Sequence, residues 1–159
     1  MLTNQYRTPG VYKEDIFPPP AVELRTGVPA FLGFSTSGRV NTPETLTLWP
    51  QFEDKFGQPL ASSYLGYTVR GFFENHGELC YVVRLDDDVS AEEALSKGLD
   101  ALGVLESVDL VCAPDIMRPH EPENPPPDPA EVLTMQEAVV KLCDELGDRF
   151  AILDSLPCR

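Results

Sequence analysis

The sequence has few basic residues, few cysteines and no long apolar run, and each shortage excludes a class of protein. It carries 12 lysines and arginines against 26 acidic residues, which gives a formal net charge of −14. Because nucleic acids and anionic membrane surfaces bind basic patches, neither is an expected partner. No apolar run reaches the length of about 18 residues that a transmembrane helix needs. The first ten residues lack a charged segment followed by an apolar one, so we expect no secretory signal.

The cysteines and histidines show no metal-binding or disulfide pattern. They are Cys80, Cys112, Cys143, Cys158, His76 and His120. No pair has C-x-x-C spacing, and neither histidine fits a zinc template. The first three cysteines lie within apolar patterns, where a free cysteine behaves as a small hydrophobic residue. The sequence therefore predicts no metal, no cofactor and a reduced, cytoplasmic setting at synthesis.

The segment Ser62–Leu85 is the centre of the predicted fold. Apolar residues recur at helical spacing from Leu65 to Phe73, and Gly77 is expected to end that helix in a left-handed turn. The run Leu79–Leu85 that follows is almost continuously apolar and rich in β-branched and aromatic residues. Such a run is typical of a strand covered by helices on both faces.

Strands and helices alternate along the rest of the chain. Further strands are predicted at Val28–Ser35, Val108–Ala113 and Phe150–Asp154, and further helices at Trp49–Phe56, after the capping residue Ser90, and after the capping residue Asp128. We read the stripe of Trp49, Phe52 and Phe56 as core. The pattern predicts an α/β fold, a mostly parallel sheet of about four strands with helices on both faces, with an edge strand possible at Ala21–Arg25.

Two proline-rich segments define the predicted domain organisation. Residues 1–20 are predicted to be an extended N-terminal arm, with Pro18–Pro20 as a stiff run and Val11–Ile16 as one short strand that needs a partner edge. A frayed terminus is the alternative. Residues 21–159 are predicted to form one α/β domain, with a proline-rich insertion at 118–129 within a crossover between a strand and a helix.

Enzymatic chemistry has one candidate location, the carboxyl ends of the strands. The polar residues there are Ser35, Asp86, Asp87, Asp88, Asp115 and Asp154. A hydrolase or phosphotransferase could use such aspartates, but no G-x-S-x-G, G-x-G-x-x-G or P-loop motif accompanies them. The three consecutive aspartates lack the alternation of a calcium loop. We therefore predict no enzyme and keep an α/β enzyme as the alternative.

Four segments, in order, resemble the contractile tail sheath proteins of phage tails and related injection systems. They are TPGVYKEDI at Thr8–Ile16, VPAFLGFSTSGRVNTPETLTLWPQFEDKFG at Val28–Gly57, RGFFENHGELCYVVRL at Arg70–Leu85 and GDRFAILD at Gly147–Asp154. Four collinear matches are more specific than any one of them. They correspond to the first half of such proteins, whose second half is absent here.

The resemblance implies a structural protein without catalytic residues. Sheath subunits stack as rings around an inner tube, linked by extended arms from their neighbours. Thr8, Pro9, Gly10, Val11 and Tyr12 match the arm, and the predicted inter-subunit segment continues through Lys13, Glu14, Asp15 and Ile16. The expected partners are copies of the chain, forming a homo-oligomeric ring or filament, and full-length sheath subunits, with the inner tube protein as a further candidate.

The short length leaves three hypotheses open. The chain is a specialised sheath-like subunit, an accessory protein that occupies one arm site of a full-length sheath, or a fragment from a truncated gene. In each case we expect cytoplasmic synthesis and an assembled phage tail-like particle or virion as the destination, with release only by lysis.

Overall fold

The structure, a computed structural model, describes residues 26–118 and 128–155. Its elements, in chain order, are β1 (Pro29–Gly33), β2 (Pro43–Leu46), α1 (Trp49–Phe56), α2 (Leu65–Glu74), β3 (Cys80–Arg84), α3 (Ala91–Leu102), β4 (Leu110–Cys112), a 3-10 helix (Pro114–Met117), α4 (Pro129–Leu146) and β5 (Phe150–Ile152). The predicted arm at 1–20, the predicted strand Ala21–Arg25 and residues 119–127 of the proline-rich insertion lie outside the described residues.

The strands form one mixed sheet in the order β2-β3-β1-β4-β5. β1 pairs in parallel with β3 and with β4, and β4 pairs in parallel with β5. Of the described strands, only β2 runs antiparallel, against β3. The predicted α/β class with a mostly parallel sheet is confirmed, and the sheet has one strand more than the four expected.

The additional strand is β2, which the sequence does not predict. It is four residues long, begins at a proline and follows a loop rich in serine, threonine and glycine. A strand that short gives too few alternations to show a period of two. Its antiparallel pairing with β3, from Pro43 opposite Val83 to Leu46 opposite Cys80, is a tertiary contact that local sequence does not show.

Helices cover both faces of the sheet, as predicted. α3 and α4 pack on one face, over a core that includes Leu32, Val83 and Val111. α1 and α2 pack on the other, over Phe31, Val82 and the aromatic residues of α1. Phe52 and Phe56 are 1% and 0% exposed, so the predicted core role of this stripe is confirmed for both.

The predicted helix caps are largely confirmed. Ser90 Oγ accepts a hydrogen bond from Glu93 N at 3.3 Å, and Asp128 Oδ1 accepts one from Ala130 N at 3.2 Å. Gly147 ends α4 in the left-handed conformation, with a φ of +69°.

The predicted role of Gly77 is wrong. α2 ends at Glu74, and the left-handed residue is His76, with a φ of 67°. A Cβ on Gly77 would lie 2.4 Å from the ring of Phe72. Glycine is needed at this position for the close approach of Phe72, and the positive φ belongs to its neighbour.

Three cysteines are buried thiols. Cys80, Cys112 and Cys143 are free and buried in the two cores. Burial raises the pKa of Cys80 to about 12 and that of Cys112 to about 11, which favours the neutral thiol expected of a packing residue.

Within the described part of the chain, no helix is long and apolar enough to cross a membrane.

Candidate functional site

The order in which the chain adds strands to the sheet reverses between β1 and β4. The chain leaves β1 toward β3 on one side and leaves β4 toward β5 on the other. In open α/β sheets the crevice at such a point, beyond the carboxyl ends of the strands, is the usual ligand site. Phe34 and Ser35 follow β1 there, and Asp115 follows β4.

The carboxylate of Asp115 lies in this crevice and accepts hydrogen bonds from the residues around it. It is 5% exposed. Its Oδ2 accepts from Phe34 N and from Ser63 Oγ, each at 2.7 Å, and its Oδ1 accepts from Tyr64 N at 2.5 Å. A Cβ on Gly33 would lie 2.6 Å from Oδ2, so glycine alone allows this approach. The carboxylate therefore joins the end of β1, the start of α2 and the end of β4.

The electrostatics of Asp115 combine opposing effects. Burial raises the pKa of Asp115, while the hydrogen bonds from Ser63, Phe34 and Tyr64 and the charge of Arg118 lower it. Each of its carboxylate oxygens already accepts at least one hydrogen bond. This arrangement suits a structural link, because three of the carboxylate's acceptor positions are taken by groups of the chain itself.

The other polar residues predicted at the strand ends do not form one cluster with Asp115. Asp86 Oδ1 accepts from Asp88 N at 3.1 Å in the turn after β3, and Asp87 pairs with Arg84 at 3.2 Å. Asp154 follows β5, which lies three strands from β3, or about 14 Å at the usual strand spacing. Ser35 Oγ donates to Ser37 O at 2.9 Å.

A cavity of about 440 Å³ lies beside the crevice, between the N-terminal ends of α3 and α4. Phe34, Ser90 and Met135 contribute to its lining, and the guanidinium of Arg118 stacks over the Phe34 ring at 3.6 Å from the ring centre.

The two edges of the sheet differ in chemistry. The β2 edge carries Pro43, and Lys55 Nζ donates to Thr45 O at 3.4 Å and pairs with Glu44 at 2.7 Å. Proline and lysine are two of the devices by which proteins protect an edge strand from further pairing. The β2 edge is therefore protected from pairing with a further strand.

Residues 26–118 and 128–155 give the β5 edge no such protection. Among the described residues β5 pairs only with β4. Phe150 and Ile152 are 76% and 46% exposed, which is high for large apolar side chains on a strand. The strand is held in place by Arg149, whose buried guanidinium donates to Leu102 O at 3.1 Å and to Leu105 O at 2.7 Å at the end of α3. Among the described residues, this edge is therefore fixed in position, apolar and without a further strand beside it.

Sequence reasoning found β5 but not its position at an edge. The run Phe150–Asp154 predicts a strand; only the strand order shows that nothing in the described chain lies beyond it. The predicted arm, Thr8–Ile16, lies outside the described residues.

Two solved structures share this fold. One is the helical sheath of the anti-feeding prophage in its contracted state, which matches 96% of this chain with a TM-score of 0.61 and 20% sequence identity. The chain shares its fold with the matched part of that sheath chain. The second is the anti-feeding prophage baseplate in its contracted state, which matches 92% of this chain with a TM-score of 0.59 and 22% identity.

The sheath fold is present here over part of its length in those proteins. The matched region covers 41% of the sheath chain and 39% of the baseplate chain, so this chain spans about two-fifths of their length. No protein-family model and no curated protein sequence matches the chain. The resemblance drawn from four sequence motifs is confirmed by this likeness of fold.

Proposed function

We propose that the chain is a structural subunit of a contractile, phage tail-like particle and that it joins its neighbours by strand exchange through the arm Thr8–Ile16. The observation that carries this proposal is the shared fold with a contractile sheath over 96% of the chain. The neighbours in the comparison are sheath and baseplate components, both of which are parts of an assembled particle.

The geometry of the strand ends supports a structural role. The crevice in which an α/β enzyme would bind its substrate is occupied by Asp115 and its three hydrogen bonds. The aspartates after β3 and β5 are too far apart to act as a pair of carboxylates. The alternative of a hydrolase or phosphotransferase therefore has less support than a subunit of an assembly.

The proposed partners are copies of this chain and full-length sheath subunits, with the inner tube protein as a further candidate. The proposed destination is the assembled particle, after synthesis in the cytoplasm.

Proline substitutions in the full-length chain test the arm. Tyr12→Pro removes a backbone donor from the predicted strand Val11–Ile16, whereas Asn4→Pro lies in the arm before the predicted inter-subunit segment Thr8–Ile16 and serves as the matched control. Sedimentation velocity should show oligomers for the wild type and for Asn4→Pro, and a monomer for Tyr12→Pro. An unchanged distribution in Tyr12→Pro would contradict strand exchange by the arm.

A further inference from the structure

We propose that Arg149 sets the register in which β5 pairs with β4. This inference concerns the alignment of one strand within the fold and does not rest on the proposed function. The two strands run in parallel, with Phe150 opposite Leu110 and Ala151 opposite Val111. Arg149 comes directly before β5, and its guanidinium distinguishes this register from the neighbouring ones.

The side chains of β5 itself define its register only weakly. The strand is three residues long, and the run from Phe150 to Leu153 is apolar throughout. If the strand moved along β4 by one residue, an apolar side chain would replace an apolar one at every paired position. Register is strongly specified where polar and apolar residues tell the two faces of a strand apart, and this run contains no polar residue.

The backbone contacts of this segment do not select a register either. Phe150 N donates to Asp109 O at 2.8 Å, and Gln136 Nε2 donates to Asp154 O at 2.7 Å. Both contacts use main-chain groups of the segment, and any residue of a shifted strand offers the same groups. They hold a strand beside β4 without deciding which residue lies opposite Leu110.

Arg149 makes contacts that the apolar residues after it cannot make. Its side chain is 1% exposed. Nη1 donates to Leu102 O at 3.1 Å and Nη2 donates to Leu105 O at 2.7 Å, at the carboxyl end of α3. Nε and Nη2 also donate to the two carboxylate oxygens of Asp148, at 2.7 and 3.1 Å. Because the last carbonyls of a helix lack partners within the helix and favour a cation, this position selects a guanidinium.

A shift of the strand would break these contacts. Each residue adds about 3.3 Å along a strand, which is more than a hydrogen bond tolerates. A shift by one residue would also turn Arg149 toward the other face of the sheet. Separating a buried charge from its partners is strongly destabilising, so the register that the structure shows is the one that satisfies Arg149.

Moving the arginine along the chain tests the proposal. The exchange of Arg149→Ala with Ala151→Arg keeps the composition and the net charge, and positions 149 and 151 lie on the same face of the strand. We expect the strand to move by two residues, so that the transferred guanidinium reaches the carbonyls at the end of α3. Ile152 would then lie opposite Leu110.

The shifted strand has a suitable residue at each paired position. Leu153 would replace Ala151 opposite Val111, and Asp154 would take the place of Ile152, which is 46% exposed. At a position this exposed, the carboxylate stays in contact with water. The shift adds two residues to the loop after α4, so the connection is not stretched.

Disulfide trapping in the full-length chain measures the register. Leu110→Cys is combined with Phe150→Cys or with Ile152→Cys. Cys112→Ala and Cys158→Ser remove two native thiols, because Cys112 lies opposite Ile152 and would compete. Directly opposite residues lie about 4.8 Å apart, within reach of a disulfide, whereas residues offset by two lie about 8 Å apart and cannot be bridged. Peptide mapping of the oxidised monomer would quantify both links.

The expected result is a reversal of the two links. With Arg149 in place, the link between positions 110 and 150 should exceed that between 110 and 152 at least about tenfold, and the exchange variant should reverse this ratio. Gly33→Ala is the matched control for loss of stability away from β5, since a Cβ there would lie 2.6 Å from Asp115 Oδ2. It should keep the native ratio.

Three outcomes would overturn the proposal. An exchange variant that keeps the link between 110 and 150 would show that other contacts set the register. An exchange variant that circular dichroism shows to be unfolded would show that the strand does not follow the arginine. Equal amounts of both links with Arg149 in place would show that the strand has no single register to set.

Discussion

At the scale of single residues, Asp115 joins parts of the chain that are far apart in sequence. It accepts hydrogen bonds from Phe34 and Tyr64, which lie 81 and 51 residues away. Sequence alone predicts an aspartate at the carboxyl end of a strand, where an enzyme would use it. The structure shows it buried and engaged on both oxygens.

Asp115→Asn should destabilise the fold by about 3 kcal/mol. In either orientation the amide places an NH₂ group against backbone N–H donors, and an unpaired buried donor and a lost charged hydrogen bond are both costly. Urea denaturation would measure the change in the free energy of unfolding. Asp88→Asn is the matched control at an exposed position, with an expected effect within about 0.5 kcal/mol; equal effects of the two variants would contradict the role of Asp115.

The buried thiols give a second residue-scale prediction. Because the thiolate is the reactive form and burial raises the pKa of Cys80 to about 12, Cys80, Cys112 and Cys143 should not react with a disulfide reagent at pH 8 in the folded chain. Three further thiols should react when the protein is unfolded in urea, as counted by absorbance. Rapid reaction of these three in the folded protein would contradict the described cores.

At the scale of elements, two glycines should respond to alanine in opposite directions. A Cβ on Gly33 would lie 2.6 Å from Asp115 Oδ2 and 2.7 Å from Leu65 Cβ, whereas a Cβ on Gly71 would meet nothing within 4 Å. Gly33→Ala should destabilise the fold by about 2 kcal/mol through overpacking. Gly71→Ala, within α2, should stabilise it by about 0.5–1 kcal/mol through helix propensity.

Thermal unfolding followed by circular dichroism would rank these two variants against the wild type. A lower midpoint for Gly33→Ala and a higher one for Gly71→Ala are expected. The reverse order would show that α2 does not pack over β1 as described.

The sequence predicts the type of most helices and strands, but not which of them lie next to one another. Periodicity and caps predict α1, α3 and α4 because the signals, such as Ser90 and Gly147, act within one turn of helix. The sequence predicts the end of α2 at Gly77 because a glycine is the usual left-handed residue, whereas His76 adopts that conformation in the structure. β2 was missed because only its pairing with β3 defines it.

The exposed side chains of β5 illustrate the same limit. Phe150 and Ile152 belong to a predicted strand, and their alternation with Ala151 is visible in the sequence. Their exposure depends on the order of the strands, which puts β5 at an edge. The order results from crossovers that join distant segments, so no local pattern contains it.

At the scale of the whole molecule, the charge distribution predicts how salt affects assembly. With a net charge of −14 outside the first 25 residues, copies repel one another at low ionic strength. Since the Debye length falls from about 30 Å at 0.01 M to about 10 Å at 0.1 M, self-association should strengthen as salt rises over this range. Sedimentation equilibrium would measure it; association that weakens with salt would indicate contacts held by charge pairs instead of strand pairing.

The central claim is assembly through the N-terminal arm, and negative-stain electron microscopy tests it most directly. The purified chain would be imaged as it is and with residues 1–20 removed, after circular dichroism has confirmed that the shortened chain is folded. Ordered rings or filaments that disappear with the arm are the predicted result. Isolated monomers in both samples, or the same particles in both, would contradict the account.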